Sequence, residues 1–530
     1  MKETRTMPRG ADNDAHGGAA GRGAILAAVC LAALALPLSF SGGAVATPAM
    51  GRSLGGSPEA MSWVTNAFML TFGSMLMLAG ALADRLGRKR VFAWGVGGFA
   101  SCALALGLAP TLAAVDVLRA LQGIFAAAAL AGGTAALAQE FEGAAATRAF
   151  GALGATFGVG LAFGPVLAGW LIEHFGWRAV FLTGAVAGIL ALGFGVPRMR
   201  ETRDPHAGRF DCLGALLFTA ALTAFTCGII EGPGLGWRHP RVMALLTGAV
   251  ALSLAFLRAE ARAQRPMLDL SLFRYPRFVG VQLLPVATCY GYIVLLVLLP
   301  LRFIGVDGYD EMQAGILMLA LSVPMLWVPF VAVRLTRGFD AGAICGAGLV
   351  LAAAGLWALR WALRDGPGAL AVVPMLMIGV GAGLPWGLMD GLSVSVVPKE
   401  RAGMATGIFS TMRVAGEGVA LASVTAVLAA LVAARLREVL PGVDAGSLTG
   451  AAVRLATGDL SEALLLLPGM APASVRASYA EAFGLLLDGL AVITLLCAAG
   501  VLAFLGRKPS PRMEPQTLKS TPCASGSSRE

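Results

Sequence analysis

Residues 151–169 read GALGATFGVGLAFGPVLAG. The run contains no charged side chain. In lipid such a segment must satisfy its own backbone groups, and a helix is the way one segment does so. Nineteen residues at 1.5 Å each reach about 28 Å, close to the ~30 Å hydrocarbon layer of a bilayer. Gly151, Gly154, Gly158, Gly160, Gly164 and Gly169 leave bare surface on this helix, which lets neighbouring helices approach closely. Pro165 removes a backbone donor and bends the rod.

The rest of the chain repeats this character. Of its 530 residues 57% are hydrophobic and 13% charged, with a mean hydropathy of +0.76. Soluble proteins carry about 25% charged residues, so this chain cannot clothe a large water-facing surface. The 70 glycines suit helices packed tightly in lipid. The net charge of +9 is spread over short gaps between apolar runs, which is a signal of membrane orientation. Aromatic residues make up only 7%, too few for a surface that stacks bases, so nucleic acid is not an expected partner.

Catalytic chemistry finds no footing. The four histidines (His16, His174, His206, His239) fall in tails or loops, and there is no HExxH, phosphate-binding loop or nucleophile elbow. Eight cysteines are scattered without a CxxC, so neither a metal site nor a disulfide framework is implied. The chain is read as a non-enzyme without a cofactor, driven by an ion gradient.

Fourteen segments approach spanning length, near 24–46, 61–83, 91–109, 112–138, 149–172, 178–197, 211–231, 241–258, 278–301, 312–333, 341–361, 369–397, 403–434 and 482–505. One set of loops carries 18 Arg and Lys and the opposite set 11. Both tails join the richer set, so both termini are expected in the cytoplasm of a multi-pass protein of the inner (plasma) membrane. An even helix count follows. The expected division is a disordered tail 1–23, a six-helix bundle 24–197, two linker helices with a cytoplasmic connecting segment 198–277, a second six-helix bundle 278–505 and a disordered tail 506–530. The loop 435–481 should be external.

Two further motifs stand out. Residues 80–90 read GALADRLGRKR, with Gly80 and Gly87 allowing a tight turn and Asp84 set among Arg85, Arg88, Lys89 and Arg90. A degenerate echo, RLTRGFD, occupies 334–340 and suggests duplicated halves. The fourth span carries Leu118-Arg119-Ala-Leu-Gln122-Gly123, and a charge within a span is expensive and marks function.

With the glycine-rich fifth span, these motifs resemble the fourteen-helix drug:proton antiporter branch of the major facilitator superfamily, over roughly residues 24–505. The resemblance implies an all-α polytopic membrane protein, two six-helix bundles plus two inserted central helices. It implies secondary active export of drugs, toxins or metabolites. Gly80, Asp84, Arg85, Gly87, Arg88 and Arg90 would form a conformational latch, with Asp84 facing the start of the thirteenth span near Lys399 to Gly403. Gly151, Gly160, Gly164, Pro165 and Gly169 match the antiporter-type fifth helix, and Arg119 would tune a nearby proton-carrying acid or pair with Asp116.

One departure matters. The family carries an Asp in the first helix about nine residues before a Pro, where this chain has Ser39 with Pro48 following. Coupling to protons must then use another acid. Asp390 in the twelfth span and Glu417 in the thirteenth are the candidates, with Arg413 four residues before Glu417 on the same face. These three and Arg119 form either a proton-coupling set or a silent structural network. Trp386, Met389, Tyr290 and Tyr292 are candidates for the wall of a substrate cavity. Expected partners are a small-molecule substrate and the lipid bilayer, with the chain acting as a monomer and a periplasmic adaptor admitted. Facilitated export of a siderophore or secondary metabolite without proton antiport is the alternative that the missing acid raises.

Overall fold

A computed structural model describes residues 11–141, 143–203, 211–263, 268, 270–364, 368–397 and 402–506. Thirteen helices are long and apolar enough to cross a membrane. With Arg88–Leu106 they are numbered here in chain order. They are α1 Ala11–Leu54, α2 Pro58–Leu86, α3 Arg88–Leu106, α4 Leu112–Glu140, α5 Arg148–Phe175, α6 Arg178–Arg198 and α7 Leu213–Leu235. They continue as α8 Pro240–Arg262, α9 Pro276–Gly305, α10 Glu311–Leu335, α11 Ala341–Ala362, α12 Ala369–Ser393, α13 Gly407–Val439 and α14 Pro472–Leu505. α3 occupies the place of the third expected span and packs along α4 and α6. Its first turn, Arg88-Lys89-Arg90, lowers its hydropathy.

α1 to α6 pack into one bundle and α9 to α14 into another. α7 and α8 form a hairpin lying against α2 and α13, held at its turn by an ion pair of 2.7 Å between Glu231 and Arg241. α8 has the smallest buried share of any span, as expected of a helix that mostly meets lipid. Successive helices alternate in direction, so the described chain ends share one face of the molecule, called here the tail side. The opposite face is the far side.

One expectation is corrected. The tail 1–23 was expected to lack structure, yet the first helix begins at Ala11. Extending a helix that is already nucleated adds one hydrogen bond for each residue fixed, and the alanines here favour it. Residues 1–10 and 507–530 lie outside the described residues. The loop after α13 has helical structure of its own. It holds helices Ala445–Ala456 and Leu460–Leu465, whose Leu448, Ala451, Ala452, Leu455 and Ala463 are buried. Ala445–Ala456 packs on α13, and the left-handed turn at Gly458 (φ 79°) sits so close to Gly305 at the end of α9 that a side chain fits at neither glycine.

Three spans are irregular. α6 contains a π-helical stretch at Ala191–Gly195 and α9 one at Cys289–Ile293, while α10 passes through a 3₁₀ turn at Val323–Leu326. Pro285, one turn before the α9 break, and Pro324, within the α10 turn, each remove a backbone donor. On the tail side, the segment before α9 makes a short 3₁₀ turn, Leu270–Arg274, and its Leu272 is buried against Phe278, Ala405 and Ile408.

Candidate functional site

The two bundles meet along two main seams, α5 against α10 and α2 against α13, with α1 also touching the second half of α9. Glycines record how close each seam is. On α5, a Cβ at Gly169 would lie 2.4 Å from the Glu311 carbonyl, and one at Gly158 would lie 2.9 Å from the Met325 carbonyl. From the α10 side, a Cβ at Gly315 would lie 2.9 Å from the Pro165 carbonyl. Gly154 and Gly151 continue the Gly158 stripe toward the tail side, and a Cβ at either meets nothing within 4 Å. The second seam behaves alike. A Cβ at Gly73 would lie 2.6 Å from the Ala415 nitrogen, whereas two turns tailward Gly80 faces open space. The seams therefore close on the far side and diverge toward the tail side. An ion pair between Arg52 at the end of α1 and Glu311 at the start of α10 spans the far-side closure.

The fifth-span glycines divide their work. Gly160 and Gly164 face α1, against Pro37 and Ser41, while Gly158 and Gly169 face α10. Gly151 packs on nothing in this conformation.

In the GALADRLGRKR turn, Gly87 has φ 119° and lies against the Glu201 carboxylate, so no other residue fits there. Asp84 accepts from Arg88 at 3.2 and 3.0 Å, and Arg90 pairs with Glu201 at 3.3 Å. Arg85 is exposed. The expected partner of Asp84 near Lys399 lies outside the described residues. The echo at 334–340 has a different use, because Asp340 caps α11 by accepting from the Gly342 and Ala343 nitrogens.

Arg119 is fully buried. Its Nε donates to the Val64 carbonyl at 2.8 Å, and its Nη1 donates to Ser39 at 2.9 Å and to Gln122 at 2.8 Å. The guanidinium lies over the Phe68 ring at 4.4 Å and near the Phe181 ring at 5.7 Å. Every acceptor is neutral, Nη2 has no hydrogen-bond partner, and no carboxylate among the described residues comes within 4 Å. Asp116 is not an ion-pair partner, although it lies three residues away. Ser39 thus occupies the position from which an acid would neutralise Arg119. A buried cation whose nearby carboxylate, Asp116, stays beyond ion-pair distance is only partly compensated, which is costly. Ser39→Asp is expected to stabilise the folded chain by about 1–3 kcal/mol, seen as a higher unfolding midpoint in detergent. An unchanged or lower midpoint would show that the charge is already compensated.

In the other bundle, Arg413 on α13 donates to Asp390 on α12 at 3.2 Å. Its guanidinium lies 5.8 Å from the Trp386 ring and 5.7 Å from that of Phe409. Asp390 is largely open, with 63% of its side chain exposed, as befits the divergent tail side. Glu417 sits one turn deeper. It is partly buried, with no hydrogen bond or ion pair within 4 Å among the described residues. The glycines beside it face different neighbours: Gly418 faces Met69 of α2, and Gly416 faces Cys289 in the π-helical stretch of α9. Glu417 therefore stands where both bundles meet an irregular helix. Trp386 and Tyr290 are partly accessible, but Met389 and Tyr292 are fully buried in the packing of the second bundle. These two are not cavity-wall residues in this conformation, because their apolar bulk fills gaps between helices.

Arg302, near the far-side end of α9, is buried. It pairs with Asp307 at 3.1 Å, donates to the Leu363 carbonyl at 2.6 Å and lies 4.8 Å from the Phe483 ring. Arg360 pairs with Asp488 across α11 and α14. The intervals of 61 and 128 residues left no local signal for these contacts.

Comparison with known proteins agrees with this architecture. The chain is 31% identical over 444 residues to the tetracenomycin C resistance and export protein of Streptomyces glaucescens, covering 83% of this chain and 81% of that protein. It is 32% identical over 395 residues to the multidrug resistance protein Stp of Mycobacterium tuberculosis, covering 74% and 73%. A crystal structure of a bacterial homologue of the human lysosomal transporter Spinster, inward-facing and unoccupied, superposes with a TM-score of 0.62 at 17% identity, covering 93% of this chain and 99% of that one, which shows the shared fold. The profile of the Major Facilitator Superfamily matches residues 29–421, and this chain belongs to that family of membrane transporters.

Proposed function

We propose that this chain exports a small molecule across the inner (plasma) membrane by exchange for protons, with its tail side in the cytoplasm. It is a multi-pass transporter and not an enzyme. The names of its relatives, an antibiotic resistance and export protein and a multidrug resistance protein, favour drugs, toxins or metabolites as cargo. The observation that carries proton coupling is Glu417, a half-buried carboxyl in α13 with no ion pair among the described residues, while Arg413 one turn before it is engaged by Asp390. A carboxyl in that setting can take up and release a proton as its surroundings change between conformations. In the cycle, cargo enters from the tail side and the seams rock to open the far side. A proton arriving from outside displaces the cargo. Release of that proton to the cytoplasm resets the carrier.

Inverted membrane vesicles energised to acidify their interior should accumulate cargo, and a protonophore should abolish the accumulation. The second reading, export without proton antiport, draws on the neutral Ser39 beside Arg119. It requires transport that persists undiminished after the protonophore. The proposed partners are the cargo and the bilayer, with the chain acting as a monomer.

A further inference from the structure

On the tail side of the first bundle, the end of α6 is stitched to the start of α3. The Arg88 nitrogen donates to the Thr202 carbonyl at 3.1 Å, and Arg90 pairs with Glu201 at 3.3 Å. Asp84 is engaged by Arg88, so both nearby carboxylates are taken. Lys89, Arg198 and Arg200 remain, with no ion pair among the described residues. Arg198 turns back along its own helix, where its Nη1 donates to the Phe194 carbonyl. Two stretches distant in sequence thus set three uncompensated charges on one accessible surface.

Next to these charges the surface turns apolar. Arg90, Trp94, Gly97, Ser101 and Leu104 follow one another at helical spacing along the bilayer-facing side of α3. Trp94, one turn from Arg90, is 58% exposed. A Cβ at Gly97 would lie 3.8 Å from a methyl of Leu192 on α6, so on this flank the groove between the two helices has no side chain on its α3 floor. Across it Gly193 is exposed, and a Cβ there meets nothing within 4 Å. Gly193 belongs to the π-helical stretch that ends just before Arg198, so the groove runs into the charges. Cations on the tail side orient a membrane chain and by themselves call for no ligand. Orientation does not explain an open indole and an unfilled groove leading into them. Tryptophan suits the level of lipid headgroups, with its ring in the apolar layer and its N–H toward polar groups. A basic pocket between spans suits a phosphate at that level.

We infer that this face holds an anionic phospholipid of the bilayer. Its phosphate sits among Lys89, Arg198 and Arg200, its glycerol lies beside Trp94, and one acyl chain follows the groove between α3 and α6 past Gly97. The occupant is a lipid and not a soluble phosphate, because the charges stand at the end of a bilayer-facing apolar groove.

The full chain in nanodiscs of phosphatidylcholine and phosphatidylglycerol in equal parts, read by native mass spectrometry, tests the assignment. The wild type should retain phosphatidylglycerol over phosphatidylcholine by at least about tenfold, since each cation near the headgroup is worth roughly fivefold. Lys89→Gln with Arg200→Gln should lose most of that preference. Arg334→Gln with Arg337→Gln removes the same charge from an exposed tail-side turn of the second bundle and should change it by less than about twofold. Trp94→Ala alters no charge and should weaken phosphatidylglycerol retention about threefold. Equal retention of the two lipids by the wild type overturns the assignment. Equal losses in the two double variants overturn it too, since they mean attraction spread over the whole face. So does an indifferent Trp94→Ala, or displacement of the lipid by excess glycerol phosphate, which would make this a site for a soluble phosphate. No cargo or gradient enters these measurements, so they stand or fall independently of proton coupling.

Discussion

Glu417→Gln is expected to leave a carrier that equilibrates its cargo but no longer concentrates it. A proton gradient drives transport only through a group that binds protons differently in the two states of the cycle, because an equilibrium shifts only by differential binding. Glutamine keeps the shape and most of the polarity of Glu417 and removes the titration. In acid-filled inverted vesicles the ratio of internal to external cargo should fall to about one, while cargo-for-cargo exchange continues and reports an intact fold. Asp390→Asn should act differently. It breaks a pair whose carboxylate is 63% exposed, worth at most ~1 kcal/mol, and should slow transport by no more than about fivefold with accumulation retained. Undiminished accumulation by Glu417→Gln would assign the proton to another acid, with Asp116 next in line as a half-buried carboxyl whose inaccessible Oδ1 has no hydrogen-bond partner.

Gly169→Val and Gly151→Val should bias the transporter in opposite directions. A Cβ at Gly169 would lie 2.4 Å from the Glu311 carbonyl oxygen and 2.9 Å from its carbon, so backbone must part from backbone. Overpacking of this kind costs about 1–3 kcal/mol, and here it is charged to the far-sealed state alone. The far-open population should rise roughly 5- to 150-fold. Gly151 meets nothing within 4 Å in the tail-open state, so valine is accommodated there. When the seams close on the tail side, the Gly151–Gly154–Gly158 stripe must meet α10, and valine then resists closure. Spin labels on the far-side turns near residues 55–57 and 307–309 should report a longer mean separation for Gly169→Val and an unchanged or shorter one for Gly151→Val. Both variants should lose most net transport. Shifts of the same sign would rule out a rocking motion about the fifth span.

Much of this was legible in the chain itself. Lipid imposes a rule that acts locally: each crossing segment needs about 20 apolar residues and satisfies its own backbone. Hydropathy therefore located thirteen of the spans, and α3 fills the place of the third although its basic first turn dilutes its apolar character. The glycine stripe of α5 and the Gly87 turn were readable for the same reason, since small residues and positive φ are properties of single positions. The sequence also exposed the neutral Ser39 in place of an acid. Which group each feature meets was decided by tertiary structure. Arg413 and Asp390, 23 residues apart, pair because α12 and α13 cross near the tail side, and Glu417 is left without an ion pair among the described residues. Arg119 gathers Ser39 from 80 residues away and Val64 from 55. Met389 and Tyr292 turned inward to fill the packing, although their side chains alone suit a cavity equally well. Burial, pairing and the divergence of the seams depend on helix crossings between distant segments, and crossing angles are set by how whole faces interlock.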